Sequence, residues 1–369
     1  MVRTSKILLL LFIALNAQSQ ENYKRLWDAL NSGNRQQATS LMQSALNDKV
    51  SSGDAFITNI YLQAYNGKEA QVTNFSSSFY DKSPNPYPYI YALWFNNALL
   101  GDYGKKKFPH QLPLIDKIIG DAKAPGTLVA ASHYQKGMHY LFSNEIDKAL
   151  DESAKVGNIK NWQYVGPFEN LSESGFYKDY GPLAHPESSA TFTSSNNAPV
   201  KWFSPPNEIQ DGWNPVCFQI NKRTAVSYAQ TFITSADDKD VLINVGVTGS
   251  IKVWINDELI VSEYKERVTE MDAYTVKYKL KKGNSRILVQ LGYSKTSYPN
   301  FNVRITDDKY NAIAGLTGSN KYVQYNKVNN ASTKYTLIPP FAEAFFQDKI
   351  AKDSFNYINY LLLADVYMR

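Results

Sequence analysis

The sequence predicts a multidomain α + β protein: an N-terminal α-helical array, an antiparallel β-sandwich, and then the start of another helical segment. Three observations carry this. Apolar residues recur at helical spacing from Glu21 to about Val156; from Trp162 the rhythm turns alternating, with Pro, Gly and Ser frequent; after Pro339-Pro340 helical spacing returns. A chain of 369 residues, 43% hydrophobic and 20% charged, suffices for two or three cored domains. Aromatic residues reach 14%, with 26 Tyr, leaving many rings for binding surfaces.

The amino terminus comes first. Arg3 and Lys6 precede the apolar run Ile7 to Leu15, and small residues Ala17 and Ser19 follow two apart, the pattern of a secretory signal peptide over residues 1–19. Nine apolar residues rise about 13 Å as a helix, against about 30 Å of hydrocarbon, so the run is not a membrane span. No Cys follows it, which removes a lipid-bearing N-terminal cysteine. The expectation is an exported protein, periplasmic or associated with the cell envelope. The net charge is only +5, and the basic runs Lys105-Lys106-Lys107 and Lys281-Lys282 lie outside any aromatic-basic array, so nucleic acid is not an expected partner.

Residues 20–160 read as a helical repeat domain. From His133 to Asn161, Gly137, Tyr140, Asn144, Ala149 and Val156 fall at the small, aromatic, turn, small and apolar offsets of a tetratricopeptide repeat, and Leu26, Ala29, Gly33, Ala38 and Ala45 repeat those offsets. Small residues let antiparallel helices approach, and the turn residue reverses the chain. Pro84, Pro86, Pro88, Pro109 and Pro113 are expected to interrupt the array between these ends. An ordinary helical bundle is the alternative.

Residues 161–306 read as the β-sandwich, of the jelly-roll kind. Val241, Ile243, Val245 and Val247, then Ile251, Val253 and Ile255, alternate with outward positions, and Asn256-Asp257 marks a hairpin because both types tolerate left-handed backbone. Further strands are expected at Val226–Thr234, Tyr274–Leu280, Arg286–Gly292 and Phe301–Thr306, with Lys282-Gly283-Asn284 as a turn. Residues 307–340, rich in Asn and Gly, read as a linker. In 341–369, Tyr360, Ala364 and Tyr367 resemble the first helix of a further repeat without its antiparallel partner; such a helix implies a longer protein, or it packs back elsewhere.

Trp162 to Asn170 (WQYVGPFEN), Val253 to Ile260 (VWINDELI) and Leu280 to Asn284 (LKKGN) together resemble the galactose-binding-like sandwich that lies between tetratricopeptide repeats and a transglutaminase-like catalytic region in large exported bacterial proteins. The resemblance covers roughly residues 162–306. It implies an N-terminal accessory or recognition part, with the Cys-His-Asp catalytic apparatus downstream of this chain.

Candidate sites follow from chemistry. A sugar site needs an aromatic face for the apolar side of a pyranose, with carboxylates and amides for its hydroxyls. Trp162, Trp202, Trp213 and Trp254 offer faces. Trp162 and Trp254 read as core; Trp202 and Trp213, among Pro and Gly, read as the exposed candidates, joined by Asp237, Asp238, Asn256 and Asp257 as polar ligands. Asp237, Asp238 and Asp240 put three carboxylates within four residues, a set suited to calcium but opposed by Lys239, so the ordinary reading is a solvated turn. Asp237-Asp238 also resembles the paired acids of protective-antigen-type sugar-binding sandwiches, with Lys239 where that pattern has glycine. No other cofactor is implied. The lone Cys217 excludes an intrachain disulfide, and with only His110, His133, His139 and His185 no Cys/His zinc cluster forms. Cys217, in the apolar stretch Pro215 to Ile220, reads as a structural thiol on a strand. Glu169, Glu173 and Asp179 could furnish a glycosidase acid pair, and Tyr87, Tyr89, Tyr91 and Trp94 either line a peptide groove or form core. The expected role is a non-catalytic recognition or assembly module, the helices binding protein or peptide and the sandwich binding glycan or protein. The alternative is the accessory region of a transglutaminase-like peptidase or a carbohydrate-active enzyme.

Overall fold

The computed structural model describes residues 23–46, 52–65, 79–81, 83–94, 108–206, 212–328 and 335–368. Residues 1–19, expected to be a signal peptide, and Lys105 to Lys107 lie outside the described residues. The protein is mixed α and β, helices preceding strands, and divides into two compact units: residues up to Lys117 with Pro340–Met368, and Ile118–Pro339. The division thus falls near residue 117 rather than 160.

The first unit is helical: α1 (residues 23–31), α2 (Arg35–Leu46), α3 (Ser52–Tyr65), α4 (Tyr87–Leu93) and most of α5 (Phe108–Gly120), joined near the C-terminus by two further helices. Gly33 and Asn34 reverse the chain between α1 and α2, and Asn34 Oδ1 accepts from Gln37 N at 3.1 Å, a cap that satisfies a donor the new helix cannot. Leu26, Ala29, Ala38 and Ala45, the small and apolar positions read from the sequence, are all buried. Pro109 and Pro113 do not interrupt α5. Pro109 lies in the first turn, where no backbone donor is required, and Pro113 costs one internal bond within a helix that continues.

The second unit opens with a helical hairpin, α6 (Gly126–Phe142) and α7 (Ile146–Val156), turned by Asn144 at φ 60°. The helices close at Gly137, where an added Cβ would lie 3.2 Å from Ser153 Oγ, which is what the small residue provides. The strands are β1 (Gln163–Phe168), β2 (Thr191–Thr193), β3 (Pro199–Lys201), β4 (Asn214–Pro215), β5 (Ala225–Ser235), β6 (Lys239–Ile255), β7 (Glu258–Val268), β8 (Tyr274–Leu280), β9 (Gly283–Tyr293), β10 (Asn300–Thr306) and β11 (Gly318–Ser319). Except for the β2–β3 pair, they form one large curled antiparallel sheet.

The curl has a specific cause. The two runs expected as separate strands, Val241–Val247 and Ile251–Ile255, are one strand, β6, whose first half lies between β8 and β10 and whose second half lies between β9 and β7. Gly249, at φ 144°, sits where one half becomes the other; a Cβ there would meet Gly292 O at 2.9 Å. The two halves face each other across one apolar core: Ile243, Val245, Ile251 and Val253 from β6 meet Val289 and Val303. The Asn256-Asp257 hairpin forms as read, both residues left-handed at φ 52° and 70°.

Both outer faces are covered. Residues 170–206 fold over β1, β5, β9 and the second half of β6, making a second apolar core of Phe168, Phe192, Trp202, Tyr228, Trp254 and Leu288. On the opposite face the α6–α7 hairpin packs through Ala130 and Val156 against Met271, and Arg304 of β10, paired with Asp272, donates to Val156 O at 2.9 Å. This is why the hairpin belongs with the strands. The described residues of the expected linker, 307–328 and 335–340, bond to the strands: β11 pairs with β5, Val328 N donates to Asn256 O (3.0 Å), and Ile338 N donates to Thr275 O (2.8 Å).

After Pro340, α8 (Phe341–Lys352) and α9 (Ile358–Met368) join the helical unit. The helix expected to be unpaired, α9, therefore has partners: the Tyr367 hydroxyl donates to Glu343 Oε1 of α8 (3.1 Å) and Tyr61 of α3 donates to Asp365, while α8 packs Phe341 on Tyr91 and Phe346 on Tyr89.

Candidate functional site

The tryptophans are mostly structural. Trp162 is buried, its Nε1 bonded to Ile159 O (3.0 Å) and its ring edge-on to Phe301. Trp254 is buried in the second core. Trp202, expected as an exposed ring, is buried beside it, edge-on to Phe192 with Nε1 donating to His185 O at 3.0 Å, because residues 170–206 roof the sheet. Trp213, the other expected exposed ring, is half-buried against the Ala130, Val156 and Met271 cluster, with its outer ring edge over Gly246.

The four polar candidates occupy two turns. Asp237 pairs with Lys239 (2.9 Å); Asp238 pairs with Lys281 and accepts from Lys282 N, both at 2.8 Å. Lysines therefore pair with two of the three carboxylates of this turn, and among the described residues no three His, Cys, Asp or Glu side chains converge as a metal site. Asn256 is buried, its Oδ1 accepting from Arg286 N (2.9 Å) and its Nδ2 donating to Ser285 Oγ (3.1 Å). Asp257 accepts from Arg286 Nη1 (3.3 Å) and from the Tyr325 hydroxyl (2.9 Å). The structure brings Asn256 and Asp257 together as a stabilised hairpin, and does not bring them to either tryptophan candidate through any of these bonds.

Cys217 lies on a short 3-10 turn, Val216–Phe218, rather than a strand, and burial pushes its thiol up, opposite to what a nucleophile needs. Tyr89, Tyr91 and Trp94 are core. In the helical unit, Trp27, Leu30, Thr58, Tyr61, Leu62 and Leu361 line a cleft of about 450 Å³ with Arg35 at its edge.

The acidic loop proves more informative than its acids. Residues Leu171–Tyr177 form a 3-10 segment in which Ser172 and Glu173 are left-handed, φ 51° and 64°. Several contacts hold it there. Glu169 accepts from Leu171 N and pairs with Lys178; Asn170 Nδ2 donates to Tyr293 O (3.2 Å); Lys252 Nζ (2.7 Å) and Gln290 Nε2 (3.0 Å) donate to Phe176 O. Gly175 passes so close to Glu169 O that a Cβ would sit 2.2 Å from it. Lys178 beside Glu169, and Lys295 beside Glu173 at 2.5 Å, hold both carboxyls below their usual range.

This fixed loop presents Tyr177, 71% exposed, stacked on Tyr264 of β7, 40% exposed, with ring centroids 5.3 Å apart and planes 26° from parallel. Phe176 packs edge-on to both rings from the buried side, and Lys252 Nζ lies 4.4 Å from its centroid. Burial, and then the Glu173 carboxylate it bonds, raise the Tyr264 hydroxyl. Glu173 and Lys295 form the polar rim, and Lys295 N donates to Glu266 Oε2 (2.9 Å). A two-ring platform bordered by a carboxylate and an ammonium is the strongest candidate site. Sequence reasoning found Glu169 and Glu173 but missed the tyrosines, since one sits in an aperiodic loop and the other on a distant strand.

No protein-family model matches the chain, and no curated protein matches it. Among solved structures, a selenomethionine-labelled β-glucosidase from Kluyveromyces marxianus is similar over 23% of this chain and 11% of its own, at 25% identity and a TM-score of 0.20. The same enzyme in complex with glucose is similar over 26% of this chain and 12% of its own, at 23% identity and a TM-score of 0.20. The overlap is about a tenth of those chains, and a TM-score of 0.20 is too low to equate the folds.

Proposed function

We propose that this chain is a non-catalytic recognition module whose strand unit binds glycan on the Tyr177–Tyr264 platform. The observation that carries the reading is the exposed, stacked ring pair with Glu173 and Lys295 at its border: the apolar face of a pyranose covers the outer ring, and the rim meets its hydroxyls. The glycosidase alternative is less well supported. A general acid must hold its proton near neutral pH, whereas Glu169 and Glu173 are both held ionised by lysines.

Within this reading the strand unit is a galactose-binding-like sandwich of jelly-roll type and the helical unit a tetratricopeptide-like array that engages protein. The cleft lined by Trp27, Tyr61 and Leu361 is the place for a side chain of an extended peptide. Residues 1–19 act as an export signal to the periplasm or cell envelope, and the chain serves as an accessory part of the kind found before transglutaminase-like domains. Affinity electrophoresis through gels containing soluble xylan, mixed-linkage glucan, galactomannan or pectin tests the glycan reading. At least one polymer should retard the wild-type chain and not Tyr177→Ala. Equal mobility of both in every gel would refute it.

A further inference from the structure

A second pair of exposed rings lies on the same strand unit. Phe218, 58% exposed, ends the 3-10 turn after β4, and Tyr298, 48% exposed, lies in the loop between β9 and β10. Their centroids are 5.3 Å apart and their planes 88° from parallel, so the edge of one meets the face of the other and both rings keep open area.

One loop, residues 294–299, carries both Lys295 at the edge of the first pair and Tyr298 of the second, and it is pinned at both ends. At its start Ser294 Oγ and Lys295 Nζ reach Glu173, and Lys295 N reaches Glu266. At its end Val216 N donates to Pro299 O (2.9 Å), and Asn300 registers with Pro215 as β10 pairs with β4. Lys295 and Tyr298 are three residues apart, which a chain spans in at most about 11 Å. The edge of the first platform and the second ring pair are therefore joined by one short, anchored stretch of chain, within which Tyr298 N donates to Thr296 Oγ1 (3.3 Å).

We infer that Phe218 and Tyr298 form a second subsite and that the ligand is an oligosaccharide chain crossing both ring pairs, not a single sugar. The inference rests on the glycan reading of the first platform. Continuity selects this occupant: the loop that carries Tyr298 also carries the Lys295 ammonium at the edge of the first site, so the two subsites border one short, anchored segment.

Calorimetric titration of the full chain with disaccharides and hexasaccharides of the xylo-, cello-, manno- and chito- series tests it. A hexasaccharide should bind about tenfold more tightly than the disaccharide of its series, roughly the worth of one ring contact. Phe218→Ala and Tyr298→Ala should lower hexasaccharide affinity to that of the disaccharide and leave the disaccharide unchanged, whereas Tyr298→Phe should keep the gain. Tyr177→Ala should weaken both lengths. If disaccharide binding depends on Tyr177 but hexasaccharide binding is indifferent to Phe218 and Tyr298, the second subsite is wrong and the first reading stands. If no sugar of either length binds, both are wrong. Both variant positions are exposed, and unchanged thermal midpoints confirm folded variants.

Discussion

Arg286 Nη1 lies 3.3 Å from Asp257 Oδ1, joining the hairpin turn to strand β9 beneath it. The guanidinium is buried; it also donates to Gln230 Oε1 (2.9 Å), Leu183 O (2.8 Å) and Pro182 O (2.6 Å), so one side chain ties the hairpin, the sheet and its roof. Removing the carboxylate leaves a buried cation without its counter-charge. Asp257→Ala is expected to destabilise the strand unit by about 3 kcal/mol, measured by urea unfolding. A loss below about 1 kcal/mol would show the pair to be incidental.

The platform loop depends on Gly175. Gly175→Ala drives a methyl against the Glu169 carbonyl, and the backbone must move to admit it. The expected result is a loss of about 1–3 kcal/mol in stability and a change in the tyrosine near-ultraviolet circular dichroism. A wild-type spectrum and midpoint together would contradict the loop geometry.

The ion pairs of that loop set its response to acid. Glu169 and Glu173 titrate lower in the folded chain than in the unfolded one, so each stabilises the loop above the unfolded value of about 4.3. That contribution fades as the pH falls through the lower, folded values. Near-ultraviolet circular dichroism should hold steady from neutral pH to about pH 4 and change below it. In Lys295→Met the change should begin at higher pH; an identical profile would dissociate Lys295 from Glu173.

Asp365 in the helical unit behaves oppositely. Burial raises its carboxyl, although the Tyr61 hydroxyl bonded to it opposes the rise. A raised carboxyl favours folding most below its unfolded value, and that advantage is lost as the pH rises through the folded value. Asp365→Asn keeps an acceptor for Tyr61 without the buried charge. It should raise the thermal midpoint by a few degrees at pH 7 and leave it unchanged at about pH 3, where the unfolded carboxyl is also protonated. A lower midpoint at pH 7 would oppose this account.

The sequence makes the strands legible because one face is branched aliphatic and the other largely small or polar even where both are buried, as in Val241, Ile243, Val245 and Val247 against Asn244, Gly246 and Thr248; Tyr274–Leu280 has the bounds expected, and Asn256-Asp257 turns as its residue types require. Long-range covering is not legible in that way. Trp202 reads as a loop ring because nothing local says that residues 170–206 lie across the sheet. The α6–α7 hairpin reads as part of the helical array because Arg304, which binds Val156 O, lies far along the chain. Residues 307–340 read as a linker because their bonds to Asn256 and Thr275 use backbone groups, which leave no pattern in side chains. Of the platform, only the acidic rim was visible; Tyr177 and Tyr264 meet through tertiary folding alone.

Strand β6 has a last consequence. One strand from Lys239 to Ile255 runs through both halves of the curled sheet, so neither half can fray without slackening the other. A nick at Gly249 would cut the thread common to both, and the platform riding on β7 would lose its footing even though none of its own residues had been touched.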